Sequence, residues 1–136
     1  MIYLEKAEIL WINKTFILEK GGSYYEGDHN VLNKNSFEYL IEAPKMSYFG
    51  NEQYQTIFEK AAVYPYLIIN DHIFHDGCKR TGMMAAFLFL AKNGRKIREE
   101  VSSPMIVLYA ERITEKHLNI RRIANWFRIF SEPGYV

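Results

Sequence analysis

Two apolar stretches of helical length, Tyr54 to Ile69 and Lys79 to Lys92, lie on either side of one short polar loop. A chain built this way must pack two buried helices side by side, with the loop held between their ends. In the first stretch Ile57, Phe58, Ala61, Ala62, Tyr64, Leu67 and Ile68 are apolar nearly all round the helix, which places it at the centre, and Pro65 predicts a kink. The second is rich in Met, Ala, Leu and Phe and closes at Asn93-Gly94. Its most apolar part, near Met83 to Ala91, is about half the ~20 residues that cross a bilayer, so it reads as a core helix.

The rest of the chain supplies helices to pack around this pair. Ile9, Ile12, Phe16 and Ile17 recur at helical spacing from Glu5 to Glu19, with Gly21-Gly22 as a stop. Ser23 to Asn30 has no period and reads as a loop whose tyrosines cover the core, and a short helix follows from Lys34 to Glu42. Pro44 ends it; Lys45 to Gln53 then reads as a loop or small hairpin turning at Gly50-Asn51. Ser103-Pro104 opens a helix that runs to about Arg112, and Thr114-Glu115 starts a last one that continues to about Phe130. With strand signals nearly absent and 49% hydrophobic residues in 136, the expectation is one compact all-α domain over residues 1–136.

Charge and cysteine usage narrow the partners. Seventeen basic against sixteen acidic residues leave a net charge of +1, so no global field draws nucleic acid or membrane, and any anion site must be local. Arg112, Arg121, Arg122 and Arg128 read as an ordinary charged face. A lone Cys78, and an N-terminus lacking a basic start followed by an apolar run, point to a reducing cytoplasm.

The chemistry concentrates in Asn70-Asp71-His72-Ile73-Phe74-His75-Asp76-Gly77-Cys78-Lys79-Arg80. The string ends on a helix N-terminus, where free amides and the positive dipole end favour an anion and Gly77 allows close approach. Lys79 and Arg80 add cations where the dipole disfavours them unless an anion is bound, so the arrangement asks for phosphate. Asp76 is a hard oxygen ligand suited to Mg²⁺ on a nucleotide, and His72 can take a proton from an attacking hydroxyl near neutrality. Other readings of the same residues remain open. His72, His75 and Asp76 could gather a transition metal. His75-Asp76 with His29 could form a metal-dependent phosphohydrolase pair, and Cys78 could be a redox-sensitive thiol.

The string resembles the loop of the Fic/Doc family, His-x-Phe-x-Asp/Glu-Gly/Ala-Asn-Lys/Gly-Arg. Glu59 to Ala62, Phe87 to Gly94 and Phe49 to Tyr54 are similar to the Doc branch, and the resemblance covers roughly Met1 to Phe130. It implies a compact helical fold that holds ATP or another nucleoside triphosphate with Mg²⁺. His72 would be the base, Asp76 the metal ligand, Gly77, Cys78, Lys79 and Arg80 the phosphate nest, and Phe74 the loop anchor. Tyr48, Phe49, Gly50 and Asn51 fall in the flap that docks a target segment by backbone pairing. Cys78 replaces the motif Asn and is a weaker donor. Met83 replaces a second Arg of the adenylyl-transferring members, which favours the Doc branch.

The family's inhibitory pattern is matched by Thr15 to Glu19 except at Lys20, so Glu19 reads as a solvated helix end. Control would then come from a separate antitoxin, whose disordered tail folds onto this domain. The expectation is a Doc-like toxin that phosphorylates a hydroxyl of a cytosolic protein such as a translation factor. The alternatives are protein nucleotidyl transfer and a catalytically weakened binding module.

Overall fold

The computed structural model describes residues 1–135. Six helices carry the architecture: α1 (Lys6–Lys20), α2 (Lys34–Glu42), α3 (Ile57–Asn70), α4 (Cys78–Lys92), α5 (Ser103–Glu115) and α6 (Ile120–Phe130). The all-α expectation holds, with α3 and α4 at the centre and α6 and α5 packed across them. Buried residues from all six helices join one hydrophobic core, including Ile9, Leu40, Ile68, Phe89, Ile113 and Phe127. Leu40, Ile68, Phe89, Ile113 and Phe127 are completely buried, as are Tyr64 and Leu90 to within a per cent. No helix among the described residues is long and apolar enough to cross a membrane.

The helix ends follow local chemistry. Asn33, Thr56, Ser102 and Asn119 are N-caps whose side chains accept from the backbone N–H three residues on. α1 ends in a left-handed cap at Gly21. Thr56 starts α3 slightly later than the apolar run suggests, and α3 continues through Pro65 without a break. Thr114 lies inside α5 rather than opening the last helix. The chain instead turns at His117, whose φ of 50° is left-handed, and restarts behind Asn119. Glu19 is exposed, as a solvated helix end should be.

Two small antiparallel pairs complete the fold. β1 (Ser47–Tyr48) and β2 (Asn51–Glu52) form the expected hairpin, but its turn is centred on Phe49-Gly50 rather than Gly50-Asn51. Both central residues take positive φ, 52° and 81°, as a tight turn matching the twist of the strands requires. β3 (Arg95–Ile97) pairs with β4 (Ser131–Pro133), a pairing that sequence reading did not anticipate, because each strand is three residues long and its partner is remote. The β1–β2 hairpin is fastened by Lys60. Its buried ammonium donates to the carbonyl of Pro44 at 3.1 Å and to Glu52 at 3.2 Å.

The separation of the two central helices is set at Gly82, where an added Cβ would lie 2.9 Å from the Cα of Pro65. Backbone cannot yield as the tip of a side chain can, so α3 and α4 touch here only because α4 has no side chain at this point. Gly82→Ala therefore sets a helix-propensity gain of about 1 kcal/mol against overpacking that costs about 1–3 kcal/mol. We expect a net loss, read as a fall of several degrees in thermal midpoint. Gly27→Ala, with nothing within 4 Å of its added methyl, should leave the midpoint unchanged.

Candidate functional site

The loop between α3 and α4 is shaped by two residues that dive into the core. Ile73 and Phe74 are completely buried, and Phe74 packs on Phe37 with ring centroids 5.9 Å apart. The carbonyl of Ile73 accepts from Leu32 and Asn33 at 2.7 and 3.1 Å, and the His75 N–H donates to Asn30 at 2.9 Å. With the middle of the loop pinned, its flanks are left outside. His72 stays exposed in a left-handed conformation (φ 48°), and Asp76 stays exposed on the other flank. A histidine in that region carries a local backbone cost that the surrounding hydrogen bonds must offset.

One cleft of about 520 Å³ brings the polar residues of the loop together: His72, His75, Asp76, Gly77, Lys79 and Arg80 line it, walled by Phe16 and by Ile106 and Ala110 of α5. A larger groove lies between α5 and α6, away from this loop. The smaller cleft is the candidate site because imidazole, carboxylate and cationic groups converge there, whereas volume alone says nothing about chemistry.

A buried hydrogen-bond network that sequence reading missed holds the loop in place. Asn13 of α1 is fully buried; its amide nitrogen donates to the Asp76 carbonyl at 2.9 Å and to the Thr81 hydroxyl at 3.0 Å. Its amide oxygen accepts from Asn30, also fully buried, at 2.8 Å, and Asn30 reaches the same Asp76 carbonyl at 3.2 Å. A signal was present: Asn13 interrupts the buried stripe Ile9, Ile12 and Ile17. A polar residue on an apolar face is kept only if its hydrogen bonds are met.

Electrostatically the site is a free helix N-terminus flanked by cations. Gly77 is the N-cap of α4 with φ 82°, a conformation that suits glycine, and it offers no side chain to cap the first turn. That turn holds no acid, so Lys79 and Arg80 oppose the dipole. Arg80 lies with its guanidinium 5.3 Å from the centre of the Phe16 ring, and His75 rests on Tyr25 at 4.2 Å. Cys78 behaves differently from the anion-gripping side chain expected at this position. It is buried, its thiol donates to the Phe74 carbonyl at 3.2 Å, and burial pushes its pKa up. A thiol kept protonated this way is a packing group and a poor redox centre. What Cys78 can offer the cleft is its backbone amide. Met83 is also fully buried, so its side chain supplies nothing to an anion.

Asp76 accepts from its neighbour Gly77 at 2.8 Å and from Ser23 at 3.0 Å, one bond on each oxygen, leaving lone-pair capacity on both. One hard carboxylate beside an anion-binding helix end fits Mg²⁺, which takes few protein ligands and lets phosphates supply the rest. The donor set does not fit a protein-only metal cage. Among the described residues no three His, Cys, Asp or Glu side chains converge, which removes the His72–His75–Asp76 cluster and the pairing with His29. Of the flap residues, Tyr48 and Phe49 are exposed, Phe49 completely, at the tip of the β1–β2 hairpin.

Comparison with known proteins bears on the family. Toxin Doc of Mycolicibacterium smegmatis is 26% identical over 84 residues, covering 62% of this chain and 65% of that protein. The aligned part thus spans just under two thirds of the relative's length. The sequence profile of the Fic/DOC family matches residues 3–90, from the start of the chain through the loop and nearly all of α4. With the matching stretch covering more than half of the chain, the protein belongs to the Fic/DOC family.

Proposed function

We propose that this chain is a Doc-like toxin that transfers the γ-phosphate of a nucleoside triphosphate to a hydroxyl of a target protein. The observation that carries the reading is the cleft at the α4 N-terminus, where exposed His72 and Asp76 stand with Lys79 and Arg80 around uncapped backbone amides. Members of the family are transferases that use a nucleoside triphosphate, and the relative matched here is named as a toxin. A toxin of this kind has a cognate antitoxin, which is the partner we expect beside the target protein.

In this reading the amides of Cys78, Lys79 and Arg80 and the two cations orient the phosphate chain. His72 accepts the proton of the acceptor hydroxyl as its oxygen bonds to the γ-phosphorus. The bond from that phosphorus to the bridging oxygen breaks, and nucleoside diphosphate leaves with the electron pair. Mg²⁺, held through Asp76, would neutralise charge on the phosphates. The exposed tip of the hairpin, with Tyr48 and Phe49 before Gly50 and Asn51, presents a short strand edge to which a target segment can add. Two features favour phosphoryl over nucleotidyl transfer. Lys79 places a charge at the nest, while one turn further the chain has buried Met83 and no cation for a terminal phosphate.

The direct test is incubation with bacterial lysate and ATP labelled separately on the α and γ phosphates. Transfer of γ label alone is expected, and transfer of α label would mean nucleotidylation. His72→Ala should lower transfer about a hundred- to ten-thousand-fold with an unchanged melting curve, since the side chain is exposed and its loss removes only the proton acceptor. Asp76→Asn keeps an oxygen acceptor for one of the two amides that Asp76 now receives but removes the charge, so the Mg²⁺ requirement should rise and activity fall far more than in His75→Ala. A greater loss at His75 would count against Asp76 as the metal ligand.

A further inference from the structure

The face of α5 and α6, read from sequence as ordinary solvated charge, is an open groove of about 1120 Å³. Arg112, Lys116, Arg121, Arg122 and Arg128 line it, and none takes part in any ion pair among the described residues, although Lys6, Lys34, Lys45, Lys60, Lys92, Lys96 and Arg98 all do. Among the described residues the only acid on the groove wall is Glu59, whose carboxylate lies 3.3 Å from its own helix cap, Thr56. In a chain with a net charge of only +1, five unpaired cations in one concavity are a local concentration.

Two of the five stand where folding alone would not put them. Arg121 and Arg122 occupy the first turn of α6, which contains no acid, so both oppose the helix dipole. The groove is also apolar beneath its charged rim, with Phe58, Leu118, Trp126 and Ile129 among its lining residues. That combination of a greasy floor and an arginine rim selects a partner carrying carboxylates and apolar side chains together.

We infer that the α5–α6 groove is a docking site for an acidic, partly apolar segment of a protein partner. Nucleic acid fits less well, because the aromatic faces that bases would use are taken. Trp126 is stacked on Tyr109 at 4.5 Å and 17°, and Phe130 packs against it at 4.8 Å. A chain with a sequence pI near 7.8 also lacks the overall basicity of nucleic-acid-binding domains. The groove is distinct from the cleft at His72: no residue lines both. Binding here can therefore be measured without reference to catalysis.

The test is fluorescence anisotropy of a labelled peptide of alternating Asp and Leu titrated with the full chain. Its Asn/Leu counterpart and a single-stranded oligouridylate of equal charge serve as competitors. Arg121→Glu/Arg122→Glu is the informative variant, since acids at these exposed first-turn positions suit the dipole and should hold or raise the thermal midpoint. The acidic peptide should bind the wild type and lose about tenfold or more in affinity to the variant. The Asn/Leu peptide should not compete. Failure of the acidic peptide to bind, equal binding by the folded variant, or tighter binding of the oligouridylate would overturn the assignment.

Discussion

Contact between α3 and α4 at Gly82 and Pro65 fixes the position of the loop that joins them. An α4 held this close to α3 brings its N-terminus back beside the C-terminus of α3, so the segment from Asp71 to Gly77 must turn tightly and bury its middle. Ile73 and Phe74 meet that demand by filling core space, and the residues on either side are forced outward. The exposed placement of His72 and Asp76 is thus a consequence of packing. An apolar pair at the centre of a short loop acts as an anchor, and the polar residues flanking it become the walls of a cleft.

The polar counterpart of that anchor is the Asn13–Asn30 pair. Backbone turning this tightly leaves carbonyls that no helix or strand can satisfy, and the Asp76 carbonyl is one of them. Two buried amides from different parts of the chain converge on it, while the Asp76 carboxylate draws in the amide of Ser23 just beyond α1. The first thirty residues therefore position the loop although none of them carries its chemistry. The family match, which begins at residue 3, includes both asparagines.

Cations stand in a first turn that carries no acid in three places: Lys34 of α2, Lys79 and Arg80 of α4, and Arg121 and Arg122 of α6. The first turns of α1 and α3 do carry an acid, Glu8 and Glu59. Cations at an N-terminus weaken a helix slightly, and an anion placed there reverses the sign. At α4 and α6 these cations line concavities with apolar walls, one a small cleft and the other an open groove.

Periodicity alone located the central helices and their loop, and the end of α2 was readable from Pro44, because these depend on neighbours in the chain. The residue types of the loop also showed that a histidine, a carboxylate and two cations stand at a helix N-terminus, since their places depend on one turn of chain. Side-chain direction was not readable. Met83 looks like a cleft residue by spacing yet is fully buried, and Cys78 lines the cleft with its thiol bonded back to the Phe74 carbonyl, because the close α3–α4 contact decides which side of α4 is buried. The restart of the chain behind Asn119 escaped notice because Thr114 carries an equally good capping signal that burial of Ile113 overrides. Pairing of β3 with β4, the meeting of Asn13 with Asn30, and the gathering of Arg112 with Arg121 and Arg122 all join residues beyond the reach of local pattern. Local pattern determined which segments are helical and where an anion could bind; the packing of remote segments decided which side chains reach it, because only in three dimensions do their burial and hydrogen-bond needs compete.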